Sequence, residues 1–206
     1  MEQNIELFFQ YYASPLGRMI LESDGEALTG LRFERPGARQ DAPAAGKLPV
    51  FAETARWLDL YFGGEDPGFT PEIRLRGSAF RQAVWTILYT VPYGTTTTYG
   101  EIAALAAEQL QVPRMSAQAV GGAVGHNPVA LIIPCHRVIG KDGSLTGYAA
   151  GLDRKQALLE LEKASKNFFS FFVTFSGFAR LNDECGREAA ANRGHTGKIY
   201  FRRIRI

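Results

Sequence analysis

The sequence predicts an α/β protein in two parts, a small sheet-and-helix module followed by a mainly helical domain. Three observations predict it. Residues 5–34 alternate strand-like runs with turn signals, apolar residues fall at helical spacing from Ser78 onward, and the second and third helical runs are divided by a tight break. With 206 residues, 46% hydrophobic and 21% charged, the chain is long enough to bury the cores of two such parts.

In IELFFQYYASPLGRMILESDGEALTGLRFE, turns at Ser14-Pro15-Leu16-Gly17 and Asp24-Gly25 separate the strands. RPGARQDAPAAGKLP at 35–49 is a surface loop. VFAETARWLDLYF then spaces Phe51, Ala55, Leu58 and Phe62 at helical intervals, and Gly63-Gly64 ends the run. Ser78 is placed to cap AFRQAVWTILYTV, whose stripe is Phe80, Val84, Ile87, Leu88 and Val91; Pro92-Tyr93-Gly94 stops it. Thr98 caps TTTTYGEIAALAAEQL, with Ile102, Leu105 and Ala106 facing inward. Pro113 breaks the chain, and Ser116 starts SAQAVGGAVGHNP, a helix rich in Ala and Gly. Helix, break and small-residue helix outline a helix-turn-helix. Small residues suit close backbone approach to DNA, and they suit a tightly packed core helix equally well. VALIIP is read as a short buried strand, KDGSLTG as a hairpin-like turn on Asp142-Gly143, and Leu152 to Glu162 as a last amphipathic helix.

No apolar run is long enough to span a bilayer, and the N-terminus is acidic where a signal peptide is basic, so a cytoplasmic protein is expected. Two cysteines, Cys135 and Cys185, make no disulfide framework. The net charge of +2 divides into −6 over 1–73, +2 over 74–162 and +6 over 163–206, an asymmetry suited to a protein that turns one face to nucleic acid.

Cys135 is the residue with chemistry in it. In IIPCHRVIG it follows Pro134 and precedes His136 and Arg137, two groups that favour a thiolate. A lone cysteine is most often a small buried hydrophobe. A metal site is weakly supported, since His126, Cys135 and His136 lack the spacing of a structural zinc. A nucleophile fits better: a bridging water would connect His136 to the sulfur, and a carboxylate such as Glu162 would orient the far side of the imidazole.

PCHRV, preceded by GGAVGHNP, followed by GYAAG and with PYGTTTTYGEIA upstream, resembles the O6-alkylguanine-DNA alkyltransferases, the methylated-DNA–protein-cysteine methyltransferases. The resemblance is specific over 78–162 and looser over 5–73. It implies a ribonuclease-H-like N-terminal domain (1–73) and a helical, winged-helix-like domain with a helix-turn-helix (74–162), leaving a basic, Phe-rich tail (163–206) unassigned. The function it implies is DNA repair. The alkyl group of O6-alkylguanine, with O4-alkylthymine as a second candidate, passes irreversibly to Cys135 in a single turnover after the base is flipped from the duplex. His136 would take the thiol proton, Glu162 would hold the imidazole, and Tyr99 would help rotate the nucleotide and protonate the departing guanine. Asn127, Val138, Tyr148 and Ala149 would bind the base; Tyr99, Arg114, Ser116 and Gln118 would meet the DNA. The expected protein is a monomer that binds double-stranded DNA, with no membrane association, no metal and no cofactor.

Two departures stand out. Gln118 occupies the place of the family's intercalating arginine, and Ala149-Ala150 stands where the family commonly has a glycine pair, a change by which the Ala150 methyl would narrow the pocket. The presence of Cys135 argues against a non-catalytic damage-recognition relative. A regulator switched by cysteine alkylation would need a further DNA-binding module, and none is visible. In the tail, the phenylalanines from Phe168 to Phe178 fit a helix or a strand equally well, FRRIRI is placed to touch phosphates, and the segment is expected to be dispensable.

Overall fold

The computed structural model describes residues 6–35, 47–175 and 204–205, with side chains described as far as Ala164 and for Ile204. Three antiparallel strands open the chain: β1 (Phe8–Ser14), β2 (Gly17–Ser23) and β3 (Leu28–Phe33). The β1–β2 turn is tight because Gly17 takes φ 113°, which a side chain would resist. Helix α1 (Pro49–Phe62) starts with Pro at its first position, where no backbone donor is lost. Strand β4 (Ile73–Arg74) lies parallel to β3 and completes the front of the sheet. Most of the surface loop at 35–49 lies outside the described residues.

The stripe of α1 is turned by one residue from the expected one. Its buried residues are Val50, Phe51, Thr54, Trp57, Leu58 and Tyr61, whereas Ala55 and Phe62 are only partly covered. Thr54 can be buried because its hydroxyl donates to the Val50 carbonyl at 2.7 Å.

The second part is helical. Helix α2 (Ala79–Tyr89) is capped by Ser78, whose Oγ accepts the Arg81 N–H. After β5 (Thr97–Thr98), α3 (Tyr99–Gln109) begins with a capping box: the Thr98 hydroxyl accepts from Glu101 N, and the Glu101 carboxylate accepts from Thr98 N. Within α3, Ile102 and Ala106 face inward as expected, but Leu105 is half exposed and Ala103 and Ala107 are buried instead. Ser116 caps α4 (Ala117–Gly125), which buries Val120, Ala123 and Val124 against α2; there the Trp85 indole N–H donates to the Ala123 carbonyl at 2.9 Å. The other side of α4 is open, and a Cβ built on Gly122 or Gly125 would meet nothing within 4 Å. The packed-core reading of the small residues therefore holds for one side of the helix, and the other side is free of neighbours among the described residues.

VALIIP is not a regular strand. It makes isolated bridges, Leu31 with Val129 and Ala130 with Ile133, and Leu131 takes a left-handed backbone (φ 69°). The irregularity lets the chain turn back on itself into a 3-10 turn at Cys135–Arg137, which leads into β6 (Val138–Ile139), parallel to β5. Asp142-Gly143 turns as expected, with Gly143 at φ 82°, but no paired strand follows it.

Helix α5 (Leu152–Phe175) runs well past Glu162, so Phe168, Phe171, Phe172 and Phe175 are in helix rather than strand, while Phe178 lies outside the described residues. Ile204–Arg205 forms β7, parallel to β4, so that part of FRRIRI extends the sheet. One hydrophobic cluster runs from Met19 and Leu21 through Tyr61 and Trp85 to Cys135 and Leu158, so both parts share a core. No described helix is long and apolar enough to cross a membrane.

Candidate active site

Cys135 lies where three features meet: the irregular segment after Asn127, the 3-10 turn and the N-terminal half of α5. Its N–H donates to the Ile133 carbonyl at 2.8 Å, and the residue is 7% exposed. Asn127 shapes this corner. Its Nδ2 donates to the Ile133 carbonyl at 2.6 Å, and its Oδ1 accepts the Val129 N–H at 3.0 Å. Burial pushes the thiol pKa up; Asn127, the charge of Lys155 and backbone N–H groups oppose that rise without cancelling it. The sulfur is therefore stored as a thiol, and attack needs a base.

His136 is fully buried. Its Nε2 lies 2.7 Å from Glu162 Oε1, while Nδ1 is buried with no hydrogen-bond partner among the described residues. Burial keeps the imidazole pKa low, outweighing the raising effect of Glu162. A neutral imidazole whose Nε2–H donates to a carboxylate has Nδ1 as its basic atom.

Glu162 is the hub. Beside His136 it accepts from Arg137 Nη2 at 2.9 Å and Nε at 3.0 Å, from the Gly94 N–H at 3.0 Å and from the Tyr61 hydroxyl at 2.8 Å. Burial alone would raise its pKa, but bonding and charge from His136 and Arg137 win and hold it at about 2. It is a carboxylate at any physiological pH. Arg137 is thereby assigned differently from its place in the sequence. It faces Glu162 and the Val91 carbonyl rather than the thiol, and the cation felt by Cys135 is Lys155. Fully buried, Lys155 donates to the Val138 and Thr146 carbonyls. Sequence reasoning missed both Lys155 and Tyr61. Tyr61 was hidden by the phase of α1, and Lys155 had only its place on α5 to signal it.

Val138 is buried beside the turn, its carbonyl held by Lys155. Tyr99, at the start of α3, donates from its hydroxyl to the Thr146 carbonyl at 3.2 Å. Burial raises its pKa, and the charge of a Cys135 thiolate adds to that. Gly147, at φ 54°, makes room for this hydroxyl, because a Cβ there would lie 3.1 Å from it. Tyr148 has its hydroxyl buried with no partner among the described residues. A cavity of about 280 Å³ is lined by Asn127, Tyr148, Ala149 and Ala150 on one side and by Arg32, Phe33 and Glu34 of the sheet on the other. Arg114, Ser116 and Gln118 are all exposed, at and before the start of α4, away from the relay.

The sheet part and the helical part share one core, the helical part carries the helix-turn-helix outline, and the Cys135 thiol lies beside a buried His–Glu pair. Residues 79–164 match the DNA-binding domain of the 6-O-methylguanine DNA methyltransferases, and residues 7–75 match their ribonuclease-like domain. The chain is 43% identical to the methylated-DNA–protein-cysteine methyltransferase of Haemophilus influenzae over 163 residues, covering 76% of this chain and 87% of that protein. It is 47% identical to the same-named protein of Mycobacterium tuberculosis over 155 residues, covering 73% and 89%. The solved structure of Mycobacterium tuberculosis OGT in complex with DNA superposes with a TM-score of 0.67 at 45% identity, covering 77% of this chain and 94% of that one. The chain belongs to the 6-O-methylguanine DNA methyltransferase family.

Proposed function

We propose that this protein repairs O6-alkylguanine in double-stranded DNA by moving the alkyl group to Cys135, once per molecule. The observation that carries the assignment to Cys135 is the buried imidazole beside it, bonded to an ionised Glu162 through Nε2 and, among the described residues, without a partner at Nδ1. In the reaction the Cys135 proton goes to His136 Nδ1, directly or through one water, and Glu162 stabilises the imidazolium. The thiolate forms a bond to the alkyl carbon as the bond from that carbon to O6 breaks. Tyr99 supplies a proton to the departing guanine, whose leaving ability rises as the negative charge is quenched. The product is a thioether, and among the described residues no second group near Cys135 is placed to cleave it.

Asn127, Val138, Tyr148 and Ala149 hold the flipped base in this reading, and the open side of α4, with Gln118 near its start, meets the groove together with Arg114 and Ser116. Gly122 and Gly125 support that placement, since they leave the helix backbone approachable. Residues 1–73 act as a supporting sheet domain and 74–162 as the DNA-binding and acceptor domain; O4-alkylthymine is a second substrate of the same chemistry. A monomer in the cytoplasm suits the mechanism, because Cys135 acts only as a free thiol.

Intact mass after incubation with duplex DNA containing O6-methylguanine tests the reading. The protein gains one methylene equivalent, mapped to Cys135, and repairs one lesion per molecule. Sustained turnover, or a label on Cys185 instead, overturns it.

A further inference from the structure

Tyr61 belongs to α1 of the sheet domain, yet its hydroxyl reaches the centre of the Cys135–His136–Glu162 cluster. It donates to Glu162 Oε1 at 2.8 Å and lies 3.2 Å from His136 Nε2. The residue is fully buried, and its ring meets the imidazole edge-on, at 6.3 Å between centroids and 76° between planes. We propose that Tyr61 is a positioning residue of alkyl transfer, which locks His136 in the tautomer and ring orientation that present Nδ1 to the Cys135 proton. This rests on the reading of Cys135 as the alkyl acceptor.

The argument follows the protons. Glu162 is ionised, so the hydrogen between it and Tyr61 belongs to the phenol. Burial and the Glu162 charge keep that phenol protonated at all working pH values. With its only proton committed to Glu162, the Tyr61 oxygen turns lone pairs toward His136 Nε2 and can only accept from it. Nε2 therefore carries the imidazole hydrogen, shared between Glu162 Oε1 and the phenol oxygen, and Nδ1 is left as the base. The same bond draws off part of the negative charge that Glu162 presents to the imidazole. That tempers the pull of Glu162 on a second proton, and His136 stays neutral and ready at lower pH than it otherwise would. The other groups around the relay are Arg137 and Cys135 from the 3-10 turn, Lys155 from α5 and Tyr93 from the loop after α2. At Nε2 the hydrogen-bond partners found are the Glu162 carboxylate and, beside it, the Tyr61 phenol oxygen. The sheet domain thus contributes a group to the chemistry of the helical domain, 75 residues of sequence from the histidine.

The test is single-turnover alkylation of Cys135 by free O6-benzylguanine from pH 5 to 9, in the full chain. Tyr61→Phe keeps the ring packing and removes the hydroxyl. It should lower the plateau rate about tenfold, the scale of one hydrogen bond to a charged group. It should also move the acid limb of the profile to higher pH, because Glu162 then stabilises the imidazolium more strongly. Duplex DNA affinity should not change. Leu58→Ala, which opens a hole one turn back along the same buried face and removes no hydrogen bond of the relay, should lower thermal stability and leave the profile in place. An unmoved acid limb in Tyr61→Phe, or an equal displacement in Leu58→Ala, overturns the proposal. Absence of alkylation at Cys135 in the unsubstituted protein is a separate result that overturns the proposed function itself.

Discussion

Glu162 and Gln118 belong to the same helical domain and meet opposite surroundings. Glu162 is fully buried and accepts from four residues, Tyr61, Gly94, His136 and Arg137, drawn from α1, a loop and the 3-10 turn. Gln118 is exposed near the start of α4; its backbone N–H is held by the Ser116 cap, while its side chain makes none of the hydrogen bonds found in the structure. A buried carboxylate survives only where partners compensate its desolvation, so its role can be read from those partners. An exposed amide is held by nothing in the protein, and its role depends on the molecule that comes to it.

The largest expected effect tests the buried side of that contrast. Glu162→Gln replaces an acceptor-only carboxylate by an amide that must turn donors toward Arg137 and His136. The Arg137 guanidinium is left buried without a counter-charge, which costs about 3–5 kcal/mol when such a pair is broken. The imidazolium loses its stabiliser, and transfer to Cys135 should fall about 100-fold. DNA affinity should stay nearly unchanged, since α4 is untouched. Denaturant unfolding, single-turnover alkylation and a duplex-binding titration measure the three quantities. His136→Ala should match the loss of transfer with a smaller loss of stability, because it leaves the Arg137–Glu162 pair intact. Wild-type transfer in both variants would show that the relay does not serve Cys135.

The pH dependence of stability separates the two buried partners. His136 has a folded pKa below 6.5, so the unfolded chain binds that proton first as pH falls, and stability is lost below about 6.5. Glu162 has a folded pKa of about 2 against 4.5, so its contribution is present above 4.5 and is lost as pH falls from 4.5 toward 2. The melting temperature should decline in two stages on acidification. In Glu162→Gln the lower stage should shrink. A flat melting temperature from pH 7 to pH 2 would mean that neither group is compensated as described.

Where the sequence could be read, local rules were enough. The three strands, the Ser78, Thr98 and Ser116 caps and the helix-turn-helix outline follow from turn residues and capping chemistry that act within a few positions. Cys135, His136 and Glu162 were visible as chemistry-bearing types in a recognisable pattern. What stayed hidden were polar groups whose partners lie far along the chain. In α1 the apolar letters Ala55 and Phe62 favour one phase, while the fold buries Thr54 and Tyr61, whose hydroxyls find a carbonyl one turn back and a carboxylate 101 residues ahead. Arg137 stands two residues from Cys135, but the 3-10 turn directs it to Glu162. The left-handed backbone at Leu131, which makes VALIIP a bent segment rather than a strand, has no glycine to announce it.

The smallest expected effect tests the exposed side. In the proposed complex Gln118 stands beside the gap that a flipped guanine leaves in the stack. An unstacked step costs a few kcal/mol, and a guanidinium offers charge and a planar face that an amide lacks. Position 118 is exposed among the described residues, and the Ser116 Oγ accepts from the backbone N–H groups of residues 118 and 119 whatever side chain is present. Gln118→Arg should therefore fold as well as the natural chain, bind duplex DNA a few-fold more tightly, and speed repair within it by about the same factor. Reaction with free O6-benzylguanine, which requires no flipping, should barely change. Measuring both substrates on the same preparation separates extrusion of the base from attack by the thiol. If the free base responded as strongly as the duplex, position 118 would act on the pocket rather than on the groove, and the open side of α4 would have to be given another role.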